Sequence, residues 1–472
     1  MTAGLAIYQA LPYPLRVLVA SARGLQLARS RYGPETDRLA AEAVERETWT
    51  SDRWRAWQEE RLARFLTRAA RSVPYYRAAW EERRRHGDRT SVECLEHWPV
   101  LAKETVRIDP RAFLADGVDP RRLVRDNTSG TSGTPLIVWF TPEVVRAWYA
   151  LNEARWRGWY GVSRRDRSAM IGGQLVTPIA RTRPPFWVRN LGLRQLYLSA
   201  YHLSPAWIPR YVDALNAFRP RFVWGYASAL HALACGALDQ GLVMPPIAAV
   251  MTNAEPLYDH QREAIERAFD CRVRATYGMT EIACAASECD ARRMHLWPEA
   301  GALEVLADDA DVAVPDGRIG RLVVTGLLNE AQPLIRYAVG DRGALSPAGA
   351  AACACGRTLP VLASVEGRVD DVVLTADGRR IGRLDPVFKG TMPIREAQIV
   401  QEALDRLVVR LVPGTGYTAA TGEEIRARLR DRVGALHVEI ETVDSIPRSA
   451  NGKFRSVISR LAPPGAATPP GD

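Results

Sequence analysis

Hydrophobic and polar positions recur with helical spacing along the first hundred residues, which are rich in arginine. Within the segment 57–73 the apolar residues of one helix face are Leu62, Phe65, Leu66 and Ala69. This spacing predicts an amphipathic helix, because positions three and four apart lie on one side of a helix. We therefore expect residues 1–100 to form a helical lead-in to a larger domain.

Strand-like and helix-like patterns alternate between residues 120 and 340, which is typical of an α/β fold. The predicted strands are Leu136–Phe140, Cys271–Thr276 and Leu322–Thr325. The predicted helices are Ser204–Phe218, with Ser204 as N-cap and Pro205 at the first position, and Asp259–Phe269, with Asp259 as N-cap.

The pattern changes near residues 366–371, after which the elements are short. Strand Leu407–Val412, helix Gly422–Val433 and strand His437–Val443 predict a small α+β unit. The chain is thus predicted to be α/β, with mixed sheets and helices in a large domain over residues 1–366 and a small mobile lid domain over residues 367–460. Residues 461–472 are rich in Pro, Gly and Ala, and we expect a disordered tail there.

Composition indicates a soluble globular protein, since 47% of residues are hydrophobic and 25% are charged. No stretch reaches the roughly 18–20 apolar residues of a transmembrane segment. The N-terminus lacks a basic leader followed by an apolar run, so we expect no signal peptide and, by default, a cytoplasmic location. The net charge of +9 fits either a genomic preference for arginine or a field that attracts anions such as ATP or CoA. The arginines are scattered, which argues against nucleic acid as a partner.

Lysine is rare in this chain: only Lys103, Lys389 and Lys453 occur among 63 basic residues. An ammonium is compact and sits on a flexible stem, whereas a guanidinium is planar and rigid. Each remaining lysine is therefore a candidate for a task that arginine cannot perform.

The segment 126–135, Asp-Asn-Thr-Ser-Gly-Thr-Ser-Gly-Thr-Pro, alternates hydroxyl residues with glycine. Glycine lets backbone N–H groups approach an anion and form a nest around it. The residues that would form this nest are Thr128, Ser129, Gly130, Thr131, Ser132, Gly133 and Thr134. The segment is not a Walker A loop, because a strand and not a Lys-Ser or Lys-Thr helix start follows it. A flexible hydroxyl-rich turn is the alternative interpretation.

This segment resembles the phosphate loop of the adenylate-forming superfamily, which includes acyl-CoA synthetases, nonribosomal peptide adenylation domains and luciferases. The family often has lysine before the proline, where this chain has Thr134. Further segments resemble the family's motifs in the same order along the chain: Thr252–Pro256, Ala275–Glu281, Pro333–Asp341, Glu366–Asp371 and Ile446–Arg455. The resemblance implies that ATP and Mg²⁺ are bound.

The resemblance also implies a task for each matching residue. Ala254 and Glu255 would line the adenine pocket, after Asn253 at a place where glycine is more usual. Tyr277 and Gly278 would contact the adenine, since a tyrosine ring offers a flat face.

The reacting phosphate and its metal would be held by the residues that follow. Thr280 would donate to the α-phosphate and Glu281 would hold Mg²⁺ as a hard oxygen ligand. Asp341 would accept hydrogen bonds from both ribose hydroxyls, and Arg368 would contact the nucleotide. Asp370 would be the hinge between the domains, and Lys453 would bridge carboxylate and phosphate during adenylation.

Seven cysteines, an odd number, argue against a disulfide framework. Three thiols and one imidazole, from Cys289, His295, Cys353 and Cys355, form a tetrahedral zinc set. Because these residues lie beside the nucleotide motifs and not among them, we expect a structural zinc. Cys284 would be a neighbour or a substitute ligand, and incidental buried cysteines are the alternative.

The cysteine set, with the segments 72–76 and 99–104, resembles the phenylacetate–CoA ligase-like family and most closely its CapK-type branch. Aryl–CoA ligases usually follow the hinge with a loop that opens a pantetheine tunnel, and residues 375–381 do not match that loop. The resemblance therefore implies activation of a carboxylic acid as acyl-AMP, while three outcomes stay open: transfer to CoA, transfer to an amine or sugar hydroxyl, or a non-catalytic nucleotide-binding homologue.

The acid itself is predicted to meet Trp224, Tyr226 and Gly278, which suggests an apolar or aryl acid, with ordinary core packing as the alternative. Tyr201 and His202 are lesser candidates for this pocket. The sequence leaves the oligomeric state open, and a homodimer is one option.

Overall fold

The computed structural model describes residues 3–128, 136–347, 352–368, 373–374, 380–381, 384–388, 393–433, 436–448 and 454–461. The α-helices are α1 (Ala3–Ala10), α2 (Tyr13–Arg31), α3 (Pro34–Arg46), α4 (Ser51–Ser72), α5 (Pro74–Arg85), α6 (Lys103–Ile108), α7 (Pro142–Leu151), α8 (Ile208–Phe218), α9 (Ala227–Asp239), α10 (Asp259–Phe269) and α11 (Ala419–Val433).

The strands are β1 (Val124–Asn127), β2 (Ile137–Phe140), β3 (Ser168–Gly172), β4 (Trp187–Asn190), β5 (Gln195–Ser199), β6 (Phe222–Tyr226), β7 (Ala249–Asn253), β8 (Val273–Gly278), β9 (Ala285–Glu288), β10 (Met294–Leu296), β11 (Gly301–Leu306), β12 (Gly320–Gly326), β13 (Tyr337–Leu345), β14 (Val361–Arg368), β15 (Val373–Leu374), β16 (Arg380–Ile381), β17 (Ile394–Ala403), β18 (Arg406–Pro413), β19 (His437–Thr442) and β20 (Val457–Ser459).

Twelve strands form one large sheet in the order β11-β12-β13-β14-β10-β9-β8-β7-β6-β3-β5-β4. Strands β5, β3, β6, β7 and β8 are neighbours in that order and pair in parallel. Beyond β8 the sheet continues with β9, β10, β14, β13, β12 and β11, and each of these strands pairs antiparallel with its neighbours. Helices α8, α9 and α10 cover the parallel half, and its buried residues form one core with theirs. A mixed sheet with covering helices is the α/β class that the sequence predicts, so this prediction is confirmed.

A separate sheet of order β19-β18-β17-β20 lies near the end of the chain. Helix α11 packs on it, and Ile425 and Leu429 on this helix join a core with Ile399, Leu407 and Val409 of the strands. All five side chains are fully buried. The predicted strand–helix–strand order is therefore observed; the first strand and the helix begin one and three residues earlier than predicted, and the last strand ends one residue earlier, at Thr442.

The predicted amphipathic helix is confirmed as part of α4. Phe65, Leu66 and Ala69 are buried, and Leu62 is partly buried against the same core. This core continues into the antiparallel half of the large sheet, where Tyr337 is fully buried. Burying one large apolar side chain stabilises the fold by about 1.5–3 kcal/mol, so α4 is anchored mainly by this face.

The predicted start of helix α8 is wrong. Ser204 does not cap the helix; its carbonyl instead accepts from Trp207 N at 2.9 Å and closes a turn. The helix begins at Ile208 with Pro209 in its first turn. Helix α10 has its predicted bounds, but Asp259 is its first residue and Tyr258 is the N-cap. The strand expected over Cys271–Thr276 lies two residues further on, as β8.

Several predicted residues lie outside the described part of the chain. They are Ser129, Gly130, Thr131, Ser132, Gly133, Thr134, Asp370, Lys389 and Lys453, together with the tail 462–472. Among the described residues, no helix combines the length and apolar character that crossing a membrane requires.

Candidate active site and metal cluster

The carboxyl ends of parallel strands β6, β7 and β8 meet at one edge of the large sheet, where ligands commonly bind in open α/β sheets. The register pairs Tyr226 with Asn253 across β6 and β7. Ala254, just after β7, has a left-handed φ of 63°. A residue other than glycine is strained in this conformation, so contacts with the surrounding structure must hold the backbone of Ala254 at this edge.

Strands β1 and β2 form a hairpin whose register pairs Asn127 with Ile137, and the glycine-rich loop segment that connects them lies outside the described residues. Two hydrogen bonds close the base of this loop: Thr128 N donates to Leu136 O at 2.9 Å, and Leu136 N donates to Thr128 Oγ1 at 3.0 Å. Thr128 therefore fixes where the loop leaves the sheet.

Tyr277 at the end of β8 contacts Asp341 on β13. The tyrosine hydroxyl donates to Asp341 Oδ2 at 2.8 Å. Burial, followed by the charge of the Asp341 carboxylate, raises the pKa of Tyr277 well above its usual range, so the hydroxyl stays a donor. The backbone of Arg368 lies directly opposite Asp341 in the β13–β14 ladder, which places the start of the predicted hinge beside this pair.

Glu281 is buried and held by two other residues. Tyr337 Oη donates to Glu281 Oε1 at 2.8 Å, and Lys103 Nζ lies 3.4 Å from the same oxygen. Oε1 therefore has two donors, while no hydrogen bond to Oε2 occurs among the described residues. A buried carboxylate oriented in this way presents its other oxygen as a ligand for a hard cation such as Mg²⁺.

Glu255 joins the twelve-stranded sheet to the segment that leads into β20 of the four-stranded sheet. Its Oε2 accepts from Ser228 N at the start of α9 at 2.9 Å, and its Oε1 accepts from Phe454 N at 2.6 Å. Tyr258 Oη and Ser456 Oγ are 2.9 Å apart and add a second contact. Burial raises the pKa of the Glu255 carboxyl. The segment around Phe454, which follows Lys453, is thus fixed against the end of β7.

These residues surround one cleft of about 1920 Å³. The predicted residues that line it are Thr128, Trp224, Ala254, Glu255, Tyr277, Gly278, Thr280, Glu281 and Asp341. Trp224 packs edge-on against Trp156, with 5.4 Å between the ring centroids. Tyr226 is not among the residues that line the cleft, and its hydroxyl is hydrogen-bonded to the backbone of Gly173. Tyr201 and His202 are also absent from the lining within the described residues.

The four predicted zinc ligands come together at the other end of the antiparallel half. The ligand atoms of Cys289, His295, Cys353 and Cys355 all lie within 4.8 Å of one another. His295 Nδ1 is 3.0 Å from the carbonyl oxygen of Leu359, which leaves Nε2 to face the thiols. Cys284 lies apart from this cluster, buried near Asp341, and burial raises the pKa of its thiol to about 12.

The spacing of the thiols fits a tetrahedral metal. Cys289 Sγ and Cys353 Sγ are 3.6 Å apart. Two thiolates on a tetrahedral Zn²⁺ with bonds of about 2.3 Å lie about 3.8 Å apart. Cys355 Sγ is 3.4 Å from His295 Nε2. The donor set and its geometry therefore fit zinc, with the imidazole oriented by a backbone carbonyl.

Two residues that contact Glu281 had no task assigned from the sequence. Lys103 was marked by the rarity of lysine and by its place in the segment 99–104, but the sequence did not show that it reaches Glu281, 178 positions away. Tyr337 lies within a recognised motif, but its contact with Glu281 depends on the pairing of β12, β13 and β14. Both contacts arise from packing between distant segments, which spacing along the chain does not report.

Comparison with known proteins agrees with the sequence motifs. Residues 373–460 match the family model of the CapK C-terminal domain. Over 96% of its length the chain is 24% identical to protein CapK of Staphylococcus aureus, of which it covers 99%. It is 26% identical to phenylacetate-coenzyme A ligase of Thermus thermophilus, over 88% of this chain and 98% of that protein.

Among solved structures, 2-hydroxyisobutyryl-CoA ligase in the postadenylation state, bound to R3-HIB-AMP, superposes with a TM-score of 0.68 at 23% identity. The match covers 88% of this chain and 92% of that one. The predicted resemblance and the predicted fold class are therefore confirmed.

Proposed function

From this resemblance to the CapK-type, phenylacetate–CoA ligase-like branch of the adenylate-forming enzymes, we propose that the chain activates a carboxylic acid with ATP as an acyl-adenylate and then transfers the acyl group to CoA. The observation that carries the proposal is the gathering of the predicted nucleotide residues around one cleft. Those that the structure describes lie on or just after strands β7, β8 and β13, and Thr128 follows strand β1; these positions are far apart in sequence.

Adenylation joins a carboxylate oxygen to the α-phosphorus of ATP, and the bond to pyrophosphate breaks. In this cleft Tyr277 and Ala254 would bind the adenine, and Asp341 would accept from the ribose hydroxyls. The Thr128–Thr134 loop and Thr280 would donate to the phosphates. Such fixed donors lower the barrier because they are already oriented toward the charge that develops.

Glu281 would hold Mg²⁺, which when bound neutralises phosphate charge and orients the leaving group. Tyr337 and Lys103 would orient the carboxylate that makes this contact. Lys453 would complete the site from the small domain, since the neighbouring Phe454 is fixed against Glu255. An ammonium on a flexible stem suits a segment that must reach the reacting carboxylate and leave again.

In the second half-reaction a thiolate would attack the acyl carbonyl and AMP would leave. The small domain would first rotate about Asp370, so the contacts of Glu255 and Tyr258 with the Phe454 segment would have to break. Trp224 on the cleft wall favours an apolar or aryl acid.

The test is an ATP–pyrophosphate exchange screen across aryl, fatty and hydroxy acids. We expect exchange that depends on one class of acid and is lost in Lys453→Ala, while the control Lys389→Ala keeps it. Exchange that is undiminished in Lys453→Ala would contradict the proposal and favour a nucleotide-binding protein without this catalysis.

A second experiment identifies the acceptor. AMP formation with the preferred acid should rise when CoA is added and should yield an acyl-CoA thioester. Turnover with an amine or sugar hydroxyl, and none with CoA, would instead assign the chain to the adenylating amide or ester synthetases.

We also infer that Cys289, His295, Cys353 and Cys355 hold a structural Zn²⁺. None of the four lines the cleft. The ion would tie the β9–β10 hairpin to the loop before β14, two segments about sixty residues apart in sequence. Its contribution would be to stability and not to the chemistry of the cleft.

A further inference from the structure

Two long segments of the chain contain no acidic residue. Residues 1–34 and residues 167–212 hold none of the 54 Asp and Glu residues, yet they contain four and six arginines. They are the two longest acid-free segments of the chain. Because both segments lack negative charge, any surface that they form together is cationic.

The fold packs these two segments against each other. Helix α2 lies across edge strand β4, where Ser21 Oγ accepts from Leu191 N at 3.0 Å. Arg16 is buried under the helix, and its guanidinium donates to Val176 O at 3.1 Å. Tyr8 of α1 also donates to Val176 O, at 3.3 Å. Helices α1 and α2 are thus fixed parts of the surface.

The outer side of these helices is apolar. Leu18 is 62% exposed and Leu25 is 51% exposed, and Ile7 of α1, Leu15 of α2 and Leu191, whose N–H binds Ser21 of α2, are exposed as well. Leu15, Leu18 and Leu25 are three and seven residues apart and lie on one side of α2. Contiguous apolar surface of this kind marks an interaction site, whereas scattered exposed apolar residues are ordinary.

Exposed arginines border this apolar surface, with Arg23 and Arg29 on α2. We propose that this N-terminal face, formed by Ile7, Leu15, Leu18, Leu25 and Leu191 with Arg23 and Arg29, docks the protein on the surface of an anionic phospholipid bilayer. An amphipathic helix with a basic border lies in the plane of such a surface, its apolar side chains among the acyl chains and its arginines at the headgroups.

The charge of the face favours lipid over a second copy of the chain. In a symmetric dimer the same patch contacts itself, so the arginines of both copies would approach one another with no carboxylate from either segment between them. An anionic bilayer offers phosphate groups to these arginines instead. Val19 and Arg23 also line the cleft, so docking would turn that side of the cleft toward the lipid.

The test is sedimentation of the full-length protein with phosphatidylglycerol vesicles and with phosphatidylcholine vesicles, without ATP. We expect binding to the anionic vesicles that weakens as salt rises, and little binding to the zwitterionic ones. Leu18→Asp and Arg29→Glu should each lower the partition coefficient by roughly ten-fold.

Two matched controls use exposed residues elsewhere. Val243 is 78% exposed, and Arg430 is exposed on α11. Val243→Asp and Arg430→Glu should bind vesicles as the unchanged protein does. Equal losses in the variants and their controls, or no sedimentation with anionic vesicles, would overturn the proposal. A dimer seen by light scattering that Leu18→Asp dissociates, with no vesicle binding, would assign the face to a second copy of the chain.

Discussion

At the scale of single residues, the cleft depends on how buried carboxylates are oriented. Glu281 has one oxygen fixed by Tyr337 and Lys103 and the other directed away from them. The rarity of lysine correctly marked Lys103 as unusual, but only the packing of α6 against β13 shows what it contacts. A sequence motif gives the chemical type of a residue, whereas the partner that orients it comes from a distant segment.

Replacing Lys103 should therefore weaken the use of Mg·ATP. Lys103→Met removes a charged donor of Glu281, a contact worth about 1.5–3 kcal/mol. We expect kcat/KM for ATP to fall roughly 10- to 100-fold. Steady-state kinetics measure this change, with Lys389→Met as the control. An unchanged kcat/KM at saturating acid would show that Tyr337 alone orients Glu281.

A second residue-scale prediction concerns pH. His231 on α9 is buried near Cys235, His260 and Arg448, and burial, followed by the charges of His260 and Arg448, lowers its pKa to about 3. The folded protein therefore binds fewer protons than the unfolded chain below pH of about 6.5. The contribution of His231 to the free energy of unfolding is fully present above that pH and is lost as pH falls toward about 3.

The expected contribution of His231 to this loss is about 1.4 kcal/mol per pH unit within that window. Urea unfolding at several pH values measures the slope, and His231→Gln should reduce it. The control His437→Gln changes an exposed histidine and should keep the slope. An equal slope in His231→Gln and in the unchanged protein would contradict this account.

At the scale of elements, the order and type of strands and helices were largely predictable, because alternation and helical spacing report burial directly. The residues at which helices begin and end were less predictable. Ser204 and Pro205 have the residue types of a helix start, yet they form a turn before α8. The residue preferences of Ser204 and Pro205 therefore do not set the helix boundary; the helix begins at Ile208, with Trp207 as its N-cap. The Cys and His set predicted from the residue types does come together in the structure, with its ligand atoms within 4.8 Å of one another.

The metal cluster leads to a prediction about the elements it joins. We expect close to one zinc per chain by elemental analysis, and Cys353→Ser should lower this content. The melting temperature should then fall by several degrees, because the β9–β10 hairpin and the loop before β14 lose their link. Cys94→Ser, which changes an exposed cysteine, should alter neither quantity. Full stability without bound metal would contradict the structural zinc.

At the scale of the whole molecule, the two sheets meet through a few polar contacts. Glu255 binds the backbone N–H groups of Ser228 and Phe454, and Tyr258 contacts Ser456. Such contacts are directional, so they fix how these two parts of the chain meet. The motifs predict that the small domain completes the site, but the sequence could not show that Glu255 contacts the Phe454 segment.

Glu255→Ala should therefore loosen this arrangement. The exchange rate should fall at least roughly ten-fold, since two hydrogen bonds to a carboxylate are lost at about 1.5–3 kcal/mol each. Transfer of the acyl group from a supplied acyl-AMP should fall less, because that step needs the contact to break. Exchange equal to that of the unchanged protein would show that the Phe454 segment is positioned by other contacts.

The central claim is that one cleft binds ATP and an acid so that the acid attacks the α-phosphorus. Acid-dependent ATP–pyrophosphate exchange in Glu281→Gln, beside the control Glu263→Gln on the exposed side of α10, tests it most directly. We predict exchange near the level of the unchanged protein in the control and a loss of about 100-fold or more in Glu281→Gln. Equal exchange in the two variants, or none with any acid in the unchanged protein, would contradict it.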